Sequence, residues 1–430
     1  MPKSSRTHAR RRSAAAMSDM TAPNHANPAS RQRISPIEHR WHCIMTGMTV
    51  AELHAEFDAL RPDELRRRSS QKWALVDPDV LPAWVAEMDY PLCPVARDVL
   101  LELVERSDFG YPVIGEHLAA FANWVAREQD WRVDPALVSP VADVMAGLEA
   151  AVRRLTAPGD GVVLLTPAYP PFLALLDHLD RPVRECPLLD AEDGWRIDFD
   201  AVADALATGA KAVLLCHPHN PTGRIWSRDE LRTLAELADR HGAFVISDEV
   251  HAPLRASDQD FVPFAAVGDR AVTVTSASKG WNVPGLKSAV LVCQESTKHL
   301  LDTIPPYEKM RASAPGLAVA TALWRDDGGW LTAVRSYLDR TRDRLQEWAG
   351  ERSRVRVHRG QAGFLAWLDV RELGPEPAEA LLRDARVRVN SGTNYAPPGS
   401  TAGRGFVRFN HATSLPLLDE LLARLGSVLD

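Results

Sequence analysis

The sequence is poor in cysteine and has no long apolar run. Only five of its 430 residues are cysteines, no two of them form a CxxC pair, and they are scattered as Cys43, Cys93, Cys186, Cys216 and Cys293. An odd, scattered set argues against a disulfide framework and a zinc site, and it is typical of reduced thiols in a cytosolic protein. No apolar run reaches the length of a membrane span. We therefore expect a cytoplasmic protein with no metal site and no membrane partner.

The sequence also has fewer basic than acidic residues. The chain has 57 Asp and Glu against 50 Lys and Arg, which gives a net charge of −7. This balance argues against a general nucleic-acid-binding protein. Residues 1–47 differ from the rest, because they contain eight Lys and Arg against two Asp and Glu and so carry +6, leaving −13 elsewhere.

The basic first segment, residues 1–47, has no apolar periodicity and is predicted to be a disordered tail. Its arginine triplet at residues 10–12 is not followed by a hydrophobic region, which argues against a secretory signal. Two interpretations stay open. Both are favoured over a targeting role: the segment is a solvated tail, or the start codon is placed too early, with Met45 or Met48 as the true first residue.

From residue 48 onward the pattern is that of an α/β protein. A helix is expected over 50–65, and short apolar runs such as 162–165 and 212–215 then alternate with amphipathic helices. This alternation predicts a mainly parallel sheet covered by helices on both faces. Half-buried strands after residue 305, including one at 355–357, predict a smaller α+β domain. The expected division is an N-terminal segment joining the small domain (48–92), a large domain (93–304) and a small C-terminal domain (305–430).

A lysine lies just beyond one of the predicted strands. The run of β-formers at residues 271–275 is followed by Ser276, Ala277, Ser278 and Lys279. A lysine flanked by serines at a strand end suits an amine in a pocket, where desolvation lowers its pKa and makes it a nucleophile towards an aldehyde. The simpler interpretation is a chance exposed lysine.

Two other predicted strands also end in polar residues. Asn220 lies in the His-Pro-His-Asn-Pro-Thr-Gly segment after residues 212–215, and Asp248 follows residues 244–246. A tight turn explains the prolines and the glycine of the first segment but does not require Asn220. A helix N-cap would explain Asp248. Open α/β sheets bind ligands at their strand ends, so a shared site is the competing interpretation.

Taken together, these residues form a set that pyridoxal 5′-phosphate would need. Lys279 would attach the cofactor aldehyde, Asp248 would hold the pyridine nitrogen protonated, and Asn220 would donate to the phenolate oxygen. Tyr169, after the first strand, would stack on the ring. The phosphate would need backbone N–H groups at a helix start, hydroxyls and a cation. The candidates for these groups are Ala146, Gly147, Ser276, Ser278 and Lys287.

An amino-acid substrate also needs a partner for its carboxylate. Arg408 lies in Phe-Val-Arg-Phe-Asn, with apolar neighbours on both sides. A guanidinium meets a carboxylate with two hydrogen bonds, so Arg408 is the candidate. On its own, a strand arginine that points to solvent would be the better interpretation.

These motifs resemble those of a known family. HPHNPTG, SDEVH, SASKGWNVPG and FVRFN are similar to the fold-type I pyridoxal-phosphate enzymes of the class I/II aminotransferase family, from residue 50 to the C-terminus. RRRSSQKW, LPAWVAEMDY and the later FGY resemble its C–S lyase branch, the cystathionine β-lyases of the MalY/PatB type. His251, in place of a common tyrosine, also resembles this branch. The resemblance implies that His251 lies at the cofactor.

The resemblance implies an activity and an assembly. The expected reaction is β-elimination from cystathionine or a related cysteine S-conjugate to a thiol, pyruvate and ammonia, with Lys279 removing the Cα proton. Tyr111 would reach into a partner's site, which implies a homodimer with shared sites. An aminotransferase with the same groups is the alternative, and a regulatory or binding protein that keeps the fold is the second. Lys287 stands where aminotransferases usually have a phosphate-binding arginine, and residues 390–395 differ from the usual turn near the substrate.

Overall fold

The fold is described by a computed structural model that covers residues 48–326 and 329–430. The predicted disordered tail, residues 1–47, lies outside the described residues. The strands are β1 (Leu81–Pro82), β2 (Val138–Val141), β3 (Val162–Thr166), β4 (Val183–Pro187), β5 (Leu189–Ala191), β6 (Gly194–Arg196), β7 (Ala212–Cys216), β8 (Phe244–Asp248), β9 (Ala271–Thr275), β10 (Ala289–Cys293), β11 (Leu365–Asp369), β12 (Val387–Arg388), β13 (Asn390–Ser391) and β14 (Phe406–Asn410).

A seven-stranded sheet forms the centre of the molecule. Its strand order is β2-β10-β9-β8-β7-β3-β4. The strands from β9 to β4 in this order are parallel to one another, whereas β10 is antiparallel to both of its neighbours. The predicted mainly parallel sheet is confirmed. The edge strands β2 and β4 were not expected from the sequence, since their short segments contain proline or alternate with charged residues.

Helices lie between most of these strands. The α-helices are Val50–Asp58, Pro62–Leu65, Gln71–Ala74, Pro94–Arg106, Gly115–Gln129, Val144–Leu155, Pro170–His178, Phe199–Ala207, Arg228–Arg240, His299–Thr303, Pro306–Lys309, Ala314–Arg325, Gly329–Gly350, Pro377–Asp384 and Leu415–Leu429. One of them begins with a capping box, in which Ser227 and Glu230 each bond to the other's backbone N–H.

The two faces of the central sheet have separate apolar cores. In β3, Leu164 packs in a cluster with residues of the helix Val144–Leu155, while the next residue, Leu165, packs with those of Arg228–Arg240. Successive side chains of a strand point to opposite faces, so a sheet with helices on both sides needs apolar residues at every position. This explains the continuous apolar runs in the sequence.

A third core joins the N-terminal segment 48–92 to the C-terminal part of the chain. Leu65 and Trp73 from the N-terminal segment pack with Trp348, Leu418 and other residues of the C-terminal part. The short strand β1 pairs in parallel with β12, and β14 lies between β11 and β13 in an antiparallel sheet. The N-terminal segment therefore contributes to the C-terminal core, while the domain boundaries themselves remain predictions.

Two local predictions were wrong. The helix expected over 50–65 is interrupted after Asp58 and restarts at Pro62, because the residue before a proline is disfavoured in the α region. The strand expected over 355–357 is reduced to one bridge between Arg356 and Asp369.

Candidate active site

The predicted site residues follow the carboxyl ends of neighbouring strands. Strands β7, β8 and β9 are adjacent in the sheet, and they lead to Asn220, Asp248 and Lys279 respectively. Tyr169 follows β3, which is adjacent to β7. Carboxyl ends of parallel strands lie at one edge of a sheet, so the topology brings these four residues to the same edge.

Lys279 is half-buried, and its amine donates a hydrogen bond to the backbone. Its Nζ donates to the carbonyl oxygen of Ala86 at 2.6 Å. Burial and, to a smaller extent, the charge of Arg408 lower the pKa of Lys279 to about 8, although the charges of Asp248 and Glu87 partly oppose this effect. A substantial fraction of the amine is therefore neutral near pH 8, as a nucleophile or a base requires.

Asp248 is the last residue of β8 and is buried. Its Oδ1 accepts the backbone N–H of Val250 at 3.1 Å. Burial raises the pKa of Asp248 to about 7, although the N–H of Val250 and the charge of Lys279 partly offset this effect. A carboxylate with this pKa gains stability from a nearby cation, which suits the protonated nitrogen of a pyridine ring.

Arg408, on β14, reaches the end of β7. Its Nη1 donates to Oδ1 of Asn220 at 3.2 Å and its Nη2 donates to the carbonyl oxygen of Trp84 at 2.8 Å. Its guanidinium carbon lies 5.3 Å from the ring centre of Tyr395. The side chain is buried, and Nε has no hydrogen-bond partner among the described residues. A buried guanidinium without a carboxylate partner is suited to bind a substrate carboxylate.

Tyr169 lines an open cavity of about 500 Å³. The cavity walls combine apolar residues of the following helix with polar side chains, namely Pro170, Pro171, Leu173, Ala174, Asn390, Asn394, Tyr395 and Arg408. The candidate stacking residue and the candidate carboxylate ligand thus share one cavity, which is wide enough for a small ligand.

His251 lies three residues beyond Asp248 and is buried. Its Nδ1 has no hydrogen-bond partner among the described residues. Burial, together with the charges of Lys279 and Arg408, lowers the pKa of His251 to about 3. The imidazole is therefore neutral at physiological pH, so it can donate or accept a hydrogen bond without adding charge.

The candidate phosphate ligands lie together, but several are already bonded within the chain. Ala146 and Gly147 belong to the first turn of the helix Val144–Leu155, and their N–H groups donate to Oδ1 and the backbone oxygen of Asp143. The Ser276 hydroxyl donates to the oxygen of Ser288 at 2.6 Å. The two N–H groups and this hydroxyl thus already have partners within the chain. Their assignment as phosphate ligands remains a prediction.

The two remaining phosphate candidates differ in their bonding. Lys287 forms an ion pair with Oδ2 of Asp143 at 2.8 Å. The hydroxyl of Ser278 makes no hydrogen bond to the described residues, although its backbone N–H donates to Oγ of Ser276 at 3.0 Å. The hydroxyl of Ser278 is therefore free to donate a hydrogen bond to a phosphate oxygen.

A segment that residue types alone did not reveal also borders the site. Backbone oxygens of Trp84–Met88, called here the N-terminal strap, accept hydrogen bonds from Lys279, Arg408 and Asn410. In the sequence, the strap is marked only by its resemblance to the C–S lyase branch. Its contribution is made through carbonyl groups, which every residue has, so no side-chain pattern marks it.

Tyr111 stands apart from the other predicted site residues in the single chain. Its side chain is 92% exposed, in the segment between the helices Pro94–Arg106 and Gly115–Gln129. Among the described residues, no cluster of three or more His, Cys, Asp or Glu could hold a metal ion. No helix within 48–326 or 329–430 is both long and apolar enough to span a bilayer.

The donor set fits pyridoxal 5′-phosphate. It offers a desolvated lysine amine, a buried carboxylate that a pyridinium would stabilise, and a neutral histidine with an unpartnered ring nitrogen. It also offers an aromatic ring beside a cavity and a buried guanidinium with an unpartnered N–H. Each unpartnered buried atom costs free energy until a ligand satisfies it.

Comparisons with known proteins agree with this geometry. The chain is 36% identical over 399 residues to a Mycobacterium leprae protein provisionally named cystathionine β-lyase, covering 86% of this chain and 98% of that protein. It is 30% identical over 363 residues to cystathionine β-lyase PatB of Bacillus subtilis, covering 82% and 93%.

A solved structure from Corynebacterium diphtheriae, provisionally named a PLP-dependent β-cystathionase, superposes with a TM-score of 0.80 at 32% identity, covering 86% of this chain and 98% of that one. This likeness confirms the predicted fold-type I architecture. The model of the family "Aminotransferase class I and II" matches residues 86–425, which include every candidate site residue. A match of this length, over a site whose donors fit the cofactor, makes the chain a member of the class I and II aminotransferase family.

Proposed function

We propose that this chain is a pyridoxal-phosphate-dependent C–S β-lyase, which cleaves cystathionine or related cysteine S-conjugates to a thiol, pyruvate and ammonia. The observation that carries the proposal is the near-complete match to relatives named cystathionine β-lyase, at 36% and 30% identity. A relative named as an aminotransferase, YugH of Bacillus subtilis, is 29% identical over only 65% of this chain.

The substrate carboxylate would bind to Arg408. The guanidinium already has two acceptors within the chain, Asn220 and Trp84, and these hold its plane in place. Its unpartnered Nε–H is then available to the substrate. Because Arg408 also lines the cavity with Tyr169, this contact would leave the rest of the amino acid inside the cavity.

Proton transfer at the substrate Cα would fall to Lys279. Its amine is neutral in substantial amount near pH 8, because burial and the charge of Arg408 lower its pKa. When bound, pyridoxal phosphate supplies an electron-accepting ring that stabilises negative charge at the substrate Cα. The carboxylate of Asp248 would keep that ring's nitrogen protonated, and Asn220 and His251 would lie at its edge. Loss of the thiolate from Cβ then completes the elimination, and one water molecule hydrolyses the released aminoacrylate to pyruvate and ammonia.

The test measures pyruvate and requires no added keto acid. Purified protein loaded with pyridoxal phosphate is given cystathionine, S-methylcysteine and cysteine in separate reactions. The proposal expects pyruvate, ammonia and the sulfur product, which is a thiol or, from cysteine, hydrogen sulfide, in equal amounts from at least one of them. Turnover that occurs only with 2-oxoglutarate would instead identify an aminotransferase.

We also propose a homodimer in which each site receives Tyr111 from the partner subunit. The exposure of Tyr111 is accompanied by that of Phe109 and Val113, which are 57% and 87% exposed. Three exposed apolar side chains in one short segment are typical of a protein contact. A cytoplasmic location belongs to the same proposal, since the four cysteines of the described residues are all free and buried.

A further inference from the structure

The start of the helix Val144–Leu155 is occupied by a side chain of the protein itself. Asp143 is its N-cap residue, and its Oδ1 accepts the N–H of Ala146 at 2.9 Å. Its other carboxylate oxygen, Oδ2, accepts Nζ of Lys287 at 2.8 Å. One carboxylate thus bonds to two of the groups predicted to hold the cofactor phosphate.

The helix start lies close to the cofactor lysine for a packing reason. A Cβ added to Gly147 would come within 2.6 Å of Cγ1 of Val274, on strand β9. Only glycine permits this approach of the helix to the strand. Because β9 leads directly to Ser276, Ser278 and Lys279, the close contact brings the helix start near residues 276–279. Gly147 therefore shapes this region by its lack of a side chain.

Asp143 is charged at neutral pH. Burial raises its pKa, but the hydrogen bonds from Lys287 and from helix amides outweigh this effect, so the pKa is lowered below its ordinary value. The pair is partly exposed: 57% of the Lys287 side chain and 35% of the Asp143 side chain are accessible to solvent. An exposed pair is weak and easily rearranged, so Lys287 is free to change partner.

We propose that Asp143 competes with the cofactor phosphate for Lys287 and for the helix N-terminus, and so weakens cofactor binding in this chain. The inference rests on the proposed cofactor site. A phosphate dianion placed near this helix start gains from the lysine and from the helix dipole. It is repelled by Asp143, whose charge cancels that of Lys287. The pair as a whole therefore adds little to phosphate affinity.

The experiment measures binding of pyridoxamine 5′-phosphate to the cofactor-free full chain by calorimetry. This compound has the phosphate but no aldehyde, so its affinity does not depend on attachment to Lys279. Asp143→Asn is expected to tighten binding about tenfold, since asparagine still caps the helix but removes the negative charge. Lys287→Met is expected to weaken binding about tenfold, because it leaves Asp143 unneutralised.

The double variant Asp143→Asn/Lys287→Met provides the sharpest result. Residues 143 and 287 together carry zero net charge both in the wild type and in the double variant. The affinity of the double variant should therefore lie within about threefold of that of the wild type. Pyridoxamine, which lacks phosphate, should bind all four proteins equally. Glu295→Gln is the matched control, since it removes one negative charge from another lysine pair, with Lys298, and should change nothing.

Weaker binding in Asp143→Asn would overturn the inference, because it would mean that Asp143 orients Lys287 towards the phosphate. A double variant as weak as Lys287→Met would overturn it too. If Asp143→Asn fails in this way while the wild type still releases pyruvate, only the inference is lost. If the wild type binds neither pyridoxamine 5′-phosphate nor pyridoxal phosphate, the inference and the proposed function both fail.

Discussion

The side chain of Asn282 bonds to both backbone groups of Met88. Its Oδ1 accepts the Met88 N–H at 2.9 Å, and its Nδ2 donates to the Met88 oxygen at 2.8 Å. Asn282 itself has φ of 55°, a left-handed conformation that asparagine tolerates better than most residues. Since Asn282 lies three residues after Lys279, the pair ties the N-terminal strap to the lysine turn. The strap oxygen that accepts the Lys279 amine, that of Ala86, is two residues from Met88.

The first prediction follows from this tie. Asn282→Ala should reduce kcat/KM for β-elimination about tenfold or more, because the strap loses two hydrogen bonds and the Lys279 amine loses a fixed acceptor. Asn282→Asp, which keeps the size and one acceptor but cannot donate, should give an intermediate loss. The pH midpoint of cofactor attachment, followed by visible absorbance, should move in both variants. An unchanged midpoint with lowered kcat/KM would mean that Asn282 only supports the fold.

The second prediction concerns the pH dependence of Lys279. Its pKa is lowered to about 8, first by burial and then by the charge of Arg408. The neutral amine reacts, so the rate of cofactor attachment should rise with pH and level off above about 8. Removing the charge in Arg408→Gln should raise the pKa of Lys279 and move the midpoint upward.

The check is stopped-flow absorbance after the cofactor-free protein is mixed with pyridoxal phosphate from pH 6 to 10. Lys298→Gln removes a positive charge from an exposed pair with Glu295 and serves as the control. A midpoint near the ordinary lysine value of about 10.4 would contradict the burial of the amine.

Much of this site could be predicted from the sequence, because its functional groups are side chains that come directly after predicted strands. The apolar runs 212–215, 244–246 and 271–275 correspond to β7, β8 and β9, and the polar residues after them converge as expected. Parallel strands place their carboxyl ends together whatever the loop lengths, so order along the chain is sufficient.

The parts that could not be predicted depend on backbone atoms or on distant pairs. The strap acts through carbonyl groups, and the tie from Asn282 to Met88 spans 194 residues. The Asp143–Lys287 pair spans 144 residues and is visible only once the helix is placed on β9. The sequence also predicts free N–H groups at Ala146 and Gly147, whereas the cap geometry gives those groups intrachain acceptors.

The third prediction concerns stability in the absence of the cofactor. Burial raises the pKa of Asp248 from 3.8 to about 7, so the folded chain holds a proton on this group where the unfolded chain does not. The free energy of unfolding should therefore fall as pH rises from about 4 to about 7, by up to about 1.4 kcal/mol per pH unit. Asp248→Asn should flatten this part of the profile.

Urea unfolding at pH 5, 6 and 7 measures the effect. Some slope should persist in the variant, because burial also raises the pKa of Glu249 to about 8, and Glu249→Gln should remove that remainder. Pyridoxal phosphate should reduce the slope in the wild type, since a protonated pyridine nitrogen stabilises the charged carboxylate. Equal slopes in the wild type and Asp248→Asn would show that Asp248 titrates near its ordinary pKa.

The fourth prediction tests whether sites are shared between subunits. Tyr111→Ala and Lys279→Ala should each be nearly inactive, the first because the partner's site lacks the tyrosine ring and the second because its own site lacks the amine. In a mixed dimer, the chain with intact Lys279 receives an intact Tyr111 from the other chain, so one of the two sites is complete. Random exchange makes half of the dimers mixed, so the mixture should recover about a quarter of the wild-type activity.

Recovery should depend on subunit exchange, and tagging the two chains separately isolates the mixed dimer for direct assay. Tyr307→Ala, another tyrosine that is 62% exposed, should keep full activity alone. If each site used its own Tyr111, no mixture of the two variants would exceed the sum of its parts, because no chain would have both residues.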